Sequence, residues 1–171
     1  MMTVILLTAC GTLAPPSHAD AREDGLKMGY VDIAKLFDDY KRTQEADADL
    51  EQEGQAKQKE RDKVVQEVRR LKDELELLAQ DNRQGKQQDI DAKIKELQEF
   101  DRKAREELRS RRDNLVKDIL TEIQAVIDSY GKSKGYDIIF HGRALVYSSG
   151  EVDVTNEILT ILNDQYQRRV Q

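Results

Sequence analysis

The chain has 171 residues, of which 36% are charged and 5% are aromatic, and it contains no tryptophan. This composition excludes a large apolar core and favours long, solvated helices. The formal net charge of -6 comes from interspersed acidic and basic residues. That mixture argues against a nucleic-acid-binding protein, because phosphate contacts need a concentrated basic face.

The first predicted element is an N-terminal export signal. Residues 4–14 form an apolar run too short to span a bilayer, and a small-residue cleavage pattern ending at Ala19 follows it. We therefore interpret residues 1–19 as a secretory signal peptide, although no Lys or Arg precedes the apolar run. An alternative is a lipoprotein signal ending at Cys10, because Leu7-Thr8-Ala9-Cys10 is similar to a bacterial lipoprotein box.

Residues 26–33 predict a short strand, and residues 34–134 predict long helices. The first stretch alternates apolar and polar side chains and includes the β-favouring Tyr30 and Val31. The second stretch has no proline and carries widely spaced apolar side chains, which is a helical pattern. We expect the first of these helices to run unbroken from Ala34 to Asn82.

Two seams of the coiled-coil type lie within residues 34–134. One runs from Leu50 to Leu78 and the other from Ile90 to Leu115, at alternating steps of four and three residues, and each seam has polar members near its middle. The seams predict an antiparallel hairpin arm in which Leu71 pairs with Leu97. Residues between the seams favour helix ends and turns, so we place the hairpin tip at Asn82, Arg83, Gly85 and Lys86.

Residues 135–171 return to a mixed pattern. Gly135 is placed to end the second helix, and residues 136–140 and 144–147 read as two short strands around a turn. Asp153 or Thr155 then offers a cap for a final amphipathic helix.

The predicted fold class is α+β, with a long antiparallel helical hairpin on a small β body made of residues 26–33 and 135–171. A body this small buries little apolar surface alone and leaves strand edges exposed. We therefore expect an obligate homo-oligomer that pairs through the body. The expected interface residues are Tyr30, Val31, Ile138, Phe140, Val146 and Tyr147.

The sequence predicts no enzyme, cofactor or metal site. Cys10 is the only cysteine, so no disulfide within the chain and no zinc or thiol cluster can form. His141 lies in a predicted turn without a second histidine or a nucleophile near it in sequence. The carboxylates recur at helix-surface spacing beside Lys and Arg, which is typical of solvated ion pairs.

The order of short motifs around two equal helical arms resembles the Skp (OmpH) family of periplasmic chaperones over essentially the whole predicted mature chain. The motifs that carry the resemblance are Met28-Gly29-Tyr30-Val31-Asp32, Gly135-Tyr136-Asp137-Ile138-Ile139, Val146-Tyr147, Asp153-Val154-Thr155 and Leu162-Asn163.

This resemblance implies a jellyfish-like homotrimer whose coiled-coil tentacles enclose a cavity. It implies an ATP-independent holdase that binds unfolded outer-membrane proteins in the periplasm, without catalysis. Family members with positively charged arms are suited to binding anionic lipid or lipopolysaccharide, whereas this chain is acidic, with a pI of about 5.1. Contact with a membrane or with lipopolysaccharide therefore stays open.

Two arm residues outside the seams, Leu77 and Phe100, are candidates for facing a client. For Phe100 the competing interpretation is packing within the hairpin, because it neighbours the seam. The alternative function is a structural coiled-coil envelope spacer, or an assembly subunit anchored by lipid at Cys10. That alternative does not explain two equal arms or the return to strands after them.

Overall fold

The computed structural model describes residues 25–171, so the predicted signal peptide and Cys10 lie outside the described residues. Strand β1 is followed by a short helix α1, the two long helices α2 and α3, strand β2 and the final helix α4. Their bounds are Met28–Val31 for β1, Ile33–Asp39 for α1, Lys41–Leu77 for α2, Arg83–Lys134 for α3, Ile138–His141 for β2 and Thr155–Val170 for α4.

The predicted unbroken helix from Ala34 to Asn82 is wrong at its start, where the chain breaks at Tyr40. Tyr40 has an extended backbone, with φ −71° and ψ 124°, and its side chain is completely buried in the body core. The Lys41 backbone N–H donates to Asn163 Oδ1 on α4 at 2.9 Å. These contacts with the rest of the body outweigh the local preference for helix at this point.

The arm is an antiparallel hairpin, as predicted, but its register differs from the predicted one. Helix α2 ends at Leu77, residues 80–82 form a 3₁₀ turn, and α3 begins at Arg83. Ion pairs across the arm join Glu67 to Lys93 and Arg61 to Asp101. Both pairs are centred near residues 80–81, whereas the predicted pairing of Leu71 with Leu97 is centred at residue 84. The predicted register is therefore wrong: it pairs each residue of α2 with a residue of α3 that lies about six to eight positions, or roughly two helical turns, too far along the chain.

Helix α3 ends where the sequence predicts. Its last residue is Lys134, and Gly135 adopts a left-handed backbone with φ 70°, from which its N–H donates to the carbonyls of Gly131 and Lys132. Glycine reaches this conformation without the steric cost that a Cβ imposes. The chain then enters β2 directly.

The sheet contains two parallel strands, with Tyr30 of β1 opposite Phe140 of β2. On its other side β1 meets residues 152–154, because the Tyr30 N–H donates to Val152 O at 2.9 Å and the Val154 N–H donates to Tyr30 O at 3.0 Å. Both edges of β1 are thus occupied.

The predicted strand at residues 144–147 does not form in the single chain. Residues 142–144 make a 3₁₀ turn, and Val146 and Tyr147 stand exposed. Within residues 25–171 no backbone pairs with this segment as a strand. A strand needs a neighbour's N–H and C=O groups to form its ladder, and here the chain supplies none.

The core lies where the root of the arm meets α1 and α4. After Leu115 the apolar stripe of α3 faces the body, and its members there are buried. The core cluster comprises Val31, Leu36, Tyr40, Ile119, Ile123, Val126, Ile127, Tyr130, Val154, Ile158 and Leu162.

Candidate functional site

The two-helix arm is held near its tip by apolar contacts. Val68 and Leu71 of α2 and Ile90 of α3 are buried there. Burial of a side chain of this size contributes about 1.5–3 kcal/mol relative to exposure. The distal part of the arm is therefore held together by a small apolar cluster between α2 and α3.

The reversal at the end of the arm is built by residues 78–82, not around Gly85. Arg83 begins α3, and its Nε donates to the Leu78 carbonyl at 3.0 Å, so it satisfies a carbonyl left free at the end of α2. Asn82 ends the 3₁₀ turn. Gly85 and Lys86 lie in the first turn of α3, and Lys86 pairs with Glu74 across the arm. Of the four predicted tip residues, only Asn82 and Arg83 take part in the turn.

In the middle of the arm, ion pairs connect α2 to α3. Lys57 Nζ lies 3.0 Å from Glu107 Oε2, and Arg61 Nε lies 3.0 Å from Asp101 Oδ1. Between these pairs Ala104 is the one apolar side chain that is buried in the described structure, and a cleft of about 360 Å³ opens beside Gly54. Exposed ion pairs contribute little stability, so this part of the arm is held more weakly than the tip.

The charged groups of the arm favour their ionised forms. The hydrogen bond from Lys86 lowers the pKa of Glu74 below the usual carboxyl value. Hydrogen bonds to Glu96 and Glu67 raise the pKa of Lys93, and the hydrogen bond to Glu107 raises that of Lys57. Shifts in these directions are those of ion pairs and give no group poised for proton transfer near pH 7.

At the root, α4 ties both arm helices together through a partly buried carboxylate. The Glu122 side chain on α3 is 13% exposed and pairs with Arg42 of α2 at 2.6 Å and with Arg169 of α4. Arg169 also donates to the Tyr40 hydroxyl at 3.3 Å, and burial raises the pKa of Tyr40. The phenol therefore stays neutral at pH 7, and the network joins the three helices around the break at Tyr40.

The two arm residues proposed to face a client differ in their surroundings. Leu77, the last residue of α2, is 88% exposed. Phe100 is half-buried, and Lys57 Nζ lies 5.9 Å from its ring centroid, a weak cation–π contact. Phe100 therefore sits beside the hairpin seam, whereas Leu77 is available to a partner.

The predicted interface residues of the body fall into two groups. Val31 is buried and Tyr30 is partly buried inside the single chain. The others are exposed, with accessibilities that rise along the chain from β2 to the following segment; they are Ile138 and Phe140 at 39% and 38%, and Tyr147 and Val146 at 86% and 105%. The exposed group leaves an apolar surface along β2 and beyond it.

Residues 25–171 hold no cluster of three His, Cys, Asp or Glu side chains suited to a metal ion. His141 Nδ1 accepts the Arg143 N–H at 3.0 Å, so this histidine caps a surface turn. Within the same residues, no helix has the length and apolarity needed to cross a bilayer.

A family model described as outer membrane protein (OmpH-like) matches residues 27–162, a span that includes the whole arm, both strands and half of α4. The chain is a member of the OmpH-like family. Among curated proteins no match is found. A crystal structure of a candidate outer membrane chaperone (OmpH-like) from Caulobacter crescentus has a TM-score of 0.76 and 14% sequence identity, and the similarity covers 93% of this chain and 92% of that one. At this identity the match establishes a common fold.

Two features of this OmpH-like protein escaped the sequence reasoning. One is the Glu122 network, whose members are 80 and 47 residues apart along the chain and follow no periodic pattern. The other is an apolar groove at the root of the arm, formed by Ile33 and Phe37 on α1 with Val116 and Leu120 on α3. The only sequence signal for the groove is that Val116 and Leu120 lie beside the seam positions Leu115 and Ile119.

Proposed function

We propose that this OmpH-like protein is an ATP-independent holdase chaperone that keeps unfolded outer-membrane proteins soluble in the periplasm. In this proposal three protomers associate through their bodies, and their helical arms enclose the client. The family membership supports a chaperone role, and the fold is that of a Caulobacter protein described as an outer membrane chaperone.

The single observation that carries the proposal is the long two-helix arm projecting from a small body. Helix α2 has 37 residues, which corresponds to roughly 55 Å at the helical rise. The body core holds the arm at its root alone, since the core residues of α3 lie at and beyond Ile119. An arm anchored at one end and free along most of its length suits a clasp around a flexible client.

The surface of the arm favours many weak contacts over one strong site. Several of its charges pair within the arm, and its exposed apolar groups, such as Leu77, are scattered. Several such arms around one client multiply modest affinities through effective concentration. A client held this way is released without ATP when it finds a better partner.

The open side of the body supports association of protomers. The outer edge of β2 has no partner strand within residues 25–171, and Ile138 and Phe140 beside it are exposed. Unpaired edges and apolar patches of this kind are usual at interfaces between chains. We take residues 144–147 to become a strand only when a neighbouring protomer supplies its partner.

Export through residues 1–19 accounts for the periplasmic location in this proposal. Acylation at Cys10 would instead anchor the protein to a membrane and suit the alternative function, an envelope spacer or an assembly subunit. Mass spectrometry of the mature N-terminus decides between the two: a chain beginning at Asp20 supports the soluble chaperone, and an acylated Cys10 supports the anchored form.

The test of function is dilution of a urea-unfolded outer-membrane β-barrel protein into buffer with and without the purified protein, in the absence of nucleotide. We expect stoichiometric amounts to keep the client soluble, as measured by light scattering. A spacer would leave aggregation unchanged.

Replacing Leu77 by Ser should weaken retention, because it removes the exposed apolar group at the end of α2. The matched control is Val170→Ser, which removes an apolar side chain that is 62% exposed on α4 and should leave retention unchanged. Equal effects of the two changes would contradict a client-facing role of the arm.

A further inference from the structure

The end of α4 contacts the beginning of α2 through one face of the helix. Asn163, Tyr166 and Arg169 are spaced by three residues, so their side chains project from the same side of α4. Asn163 Oδ1 accepts the Lys41 N–H at 2.9 Å, and the Tyr166 hydroxyl donates to Glu45 Oε2 at 2.6 Å. The last turns of α4 thus bind the first turns of α2.

The third side chain of this face, Arg169, bonds where the two arm helices meet. It pairs with Glu122 of α3 and donates to the Tyr40 hydroxyl at 3.3 Å. The ring of Tyr166 packs edge-on against the ring of Tyr40, with centroids 5.9 Å apart. Because Glu122 also pairs with Arg42 of α2 at 2.6 Å, one carboxylate links α4 to both helices of the arm.

The beginning of α2 is the less constrained side of the root of the arm. Helix α3 is unbroken from Arg83 to Lys134 and packs in the body core at its body end, whereas α2 is separated from α1 by the extended residue Tyr40. A tilt of the arm therefore bends α3 and shifts the first turns of α2 against the body. A rotation of about 10° at this point would move the far end of α2 by roughly 10 Å, since its 37 residues span roughly 55 Å.

We propose that Tyr166 and Arg169 are positioning residues, which hold the first turns of α2 against the body and so set the direction in which the arm projects. The inference rests on the proposed function, because the effective concentration of contacts around a client falls when each arm ranges over a larger volume. Both residues lie beyond residues 27–162, the span that the OmpH-like family model matches, so the family match does not assign them this role.

These two side chains can be changed without unfolding the body. Arg169 is 53% exposed, and exposed ion pairs add little to global stability. Without Arg169, the carboxylate of Glu122 keeps its pair with Arg42. The change Tyr166→Phe removes the hydroxyl and keeps the ring against Tyr40. A variant at either position therefore loosens the start of α2 and leaves the core in place.

The test compares the full chain with Arg169→Ala, with Tyr166→Phe and with the double variant. Arg168→Ala is the matched control, since Arg168 Nε donates to the Asp164 carbonyl of its own helix at 3.2 Å. Arg169→Lys tests for rescue, because it restores the positive charge. Each protein also carries a spin label at Gln88→Cys on the distal part of α3, and the distance between labels on neighbouring protomers reports the spacing of the arms.

Hydrogen exchange, followed by mass spectrometry, measures the start of α2 directly. Removal of either contact should speed exchange at residues 41–47 by roughly 1.5- to 5-fold, the change in local opening that corresponds to loss of an exposed polar contact. Exchange at residues 119–130 in the core should stay at the parent's rate, and Arg168→Ala should match the parent at both places.

The spin-label distances and the client assay measure the consequence for the arms. The distribution of distances should broaden in Arg169→Ala and in Tyr166→Phe, and most in the double variant, whereas Arg169→Lys should lie between Arg169→Ala and the parent. The time for which an unfolded client stays soluble should fall in the same order.

Two results overturn the positioning role: a double variant that keeps the parent's distribution of distances, or faster exchange that spreads evenly over the chain, which would make the contacts a part of global stability. Arms that loosen while client retention stays at the parent's level overturn the link between arm direction and retention. A parent that holds no client refutes the holdase alone, because exchange and distances still measure the arm. A monomeric parent refutes the proposed oligomer, and exchange at residues 41–47 then decides the positioning role by itself.

Discussion

Two glycines of this chain show how backbone conformation, and not available space, decides the effect of an added methyl group. A Cβ would meet nothing within 4 Å at Gly54 or at Gly135, but Gly135 has φ +70°. We expect Gly54→Ala to raise the free energy of unfolding by roughly 0.5–1 kcal/mol, since Gly54 lies inside α2. Gly135→Ala should lower it by about 1 kcal/mol. Urea titration measures both changes, and equal signs would contradict the assigned conformations.

Asp153 makes the start of α4 sensitive to acid. Burial opposes ionisation of this carboxyl, but hydrogen bonds from the Thr155 hydroxyl and backbone N–H outweigh it and lower its pKa. The Thr155 hydroxyl oxygen in turn accepts the Asp32 N–H at 3.0 Å. The carboxylate thus fixes the junction between β1, α1 and α4.

Asp153→Asn should therefore destabilise the protein by roughly 1 kcal/mol near pH 7. The native carboxyl binds a proton less readily than the unfolded one, so its contribution is present above the ordinary aspartate pKa of about 3.9 and is lost as pH falls through the lowered native pKa. The difference between parent and variant, measured by denaturant titration from pH 7 downward, should shrink in acid. If the difference in unfolding free energy stayed constant with pH, the effect would come from the changed shape of the side chain and not from the charge of the carboxylate.

At the scale of elements, the arm is a coiled coil whose middle has exchanged apolar seam residues for charge. Arg61 and Asp101 face each other there, with side chains 38% and 28% exposed. We expect Arg61→Leu and Asp101→Leu each to lower stability, because each leaves the other charge unpaired in the seam. The double variant should be more stable than the parent, since two facing leucines restore apolar contact.

Urea titration of these four proteins gives the coupling between the two positions. In the parent the ion pair should weaken at high salt, where the Debye length falls to about 3 Å. A double variant less stable than either single change would show that the pair is required for the register of the hairpin.

Local pattern was sufficient for the elements that local forces create. Gly135 ends α3 as expected because its left-handed conformation is a property of one residue, and the hairpin follows from the two apolar seams. The break at Tyr40 was missed because it depends on packing in the body core and on Asn163, which lies more than 120 residues away in the chain. The register was missed because glycine favours turns, so the reversal was placed around Gly85. In the structure the reversal comes earlier, where the Arg83 side chain caps the end of α2.

The predicted strand at residues 144–147 failed for a different reason. Its sequence favours a strand, but a ladder needs a partner, and residues 25–171 of the single chain offer none to Val146 and Tyr147. Of the two residues proposed to face a client, Leu77 is exposed and Phe100 is half-buried. This difference could not be read from the composition or from the spacing of apolar residues. Sequence therefore predicted which residues are apolar and off the seam, and only the packed structure showed which of them face solvent.

At the scale of the whole molecule, the proposed mechanism makes the length of the arm a measure of the client that fits. Residues 55–61 of α2 and residues 101–107 of α3 face each other in the charged middle of the arm. Removing both heptads shortens each arm by roughly 10 Å and keeps the pairs Glu53–Arg111 and Glu67–Lys93 opposite one another. We expect this variant to fold and to oligomerise as the parent does.

The shortened protein should still hold an unfolded outer-membrane protein of eight strands at the parent's stoichiometry, and it should lose retention of one of sixteen strands or more, because the smaller enclosure covers less of the longer chain. Light scattering on dilution of each client from urea measures both. The control removes residues 55–61 alone, which displaces every distal pair by a heptad and should cost helical content. If the variant that lacks both heptads retains both clients equally, the arms do not enclose the client. Retention would then depend entirely on contacts along the surfaces of the arms.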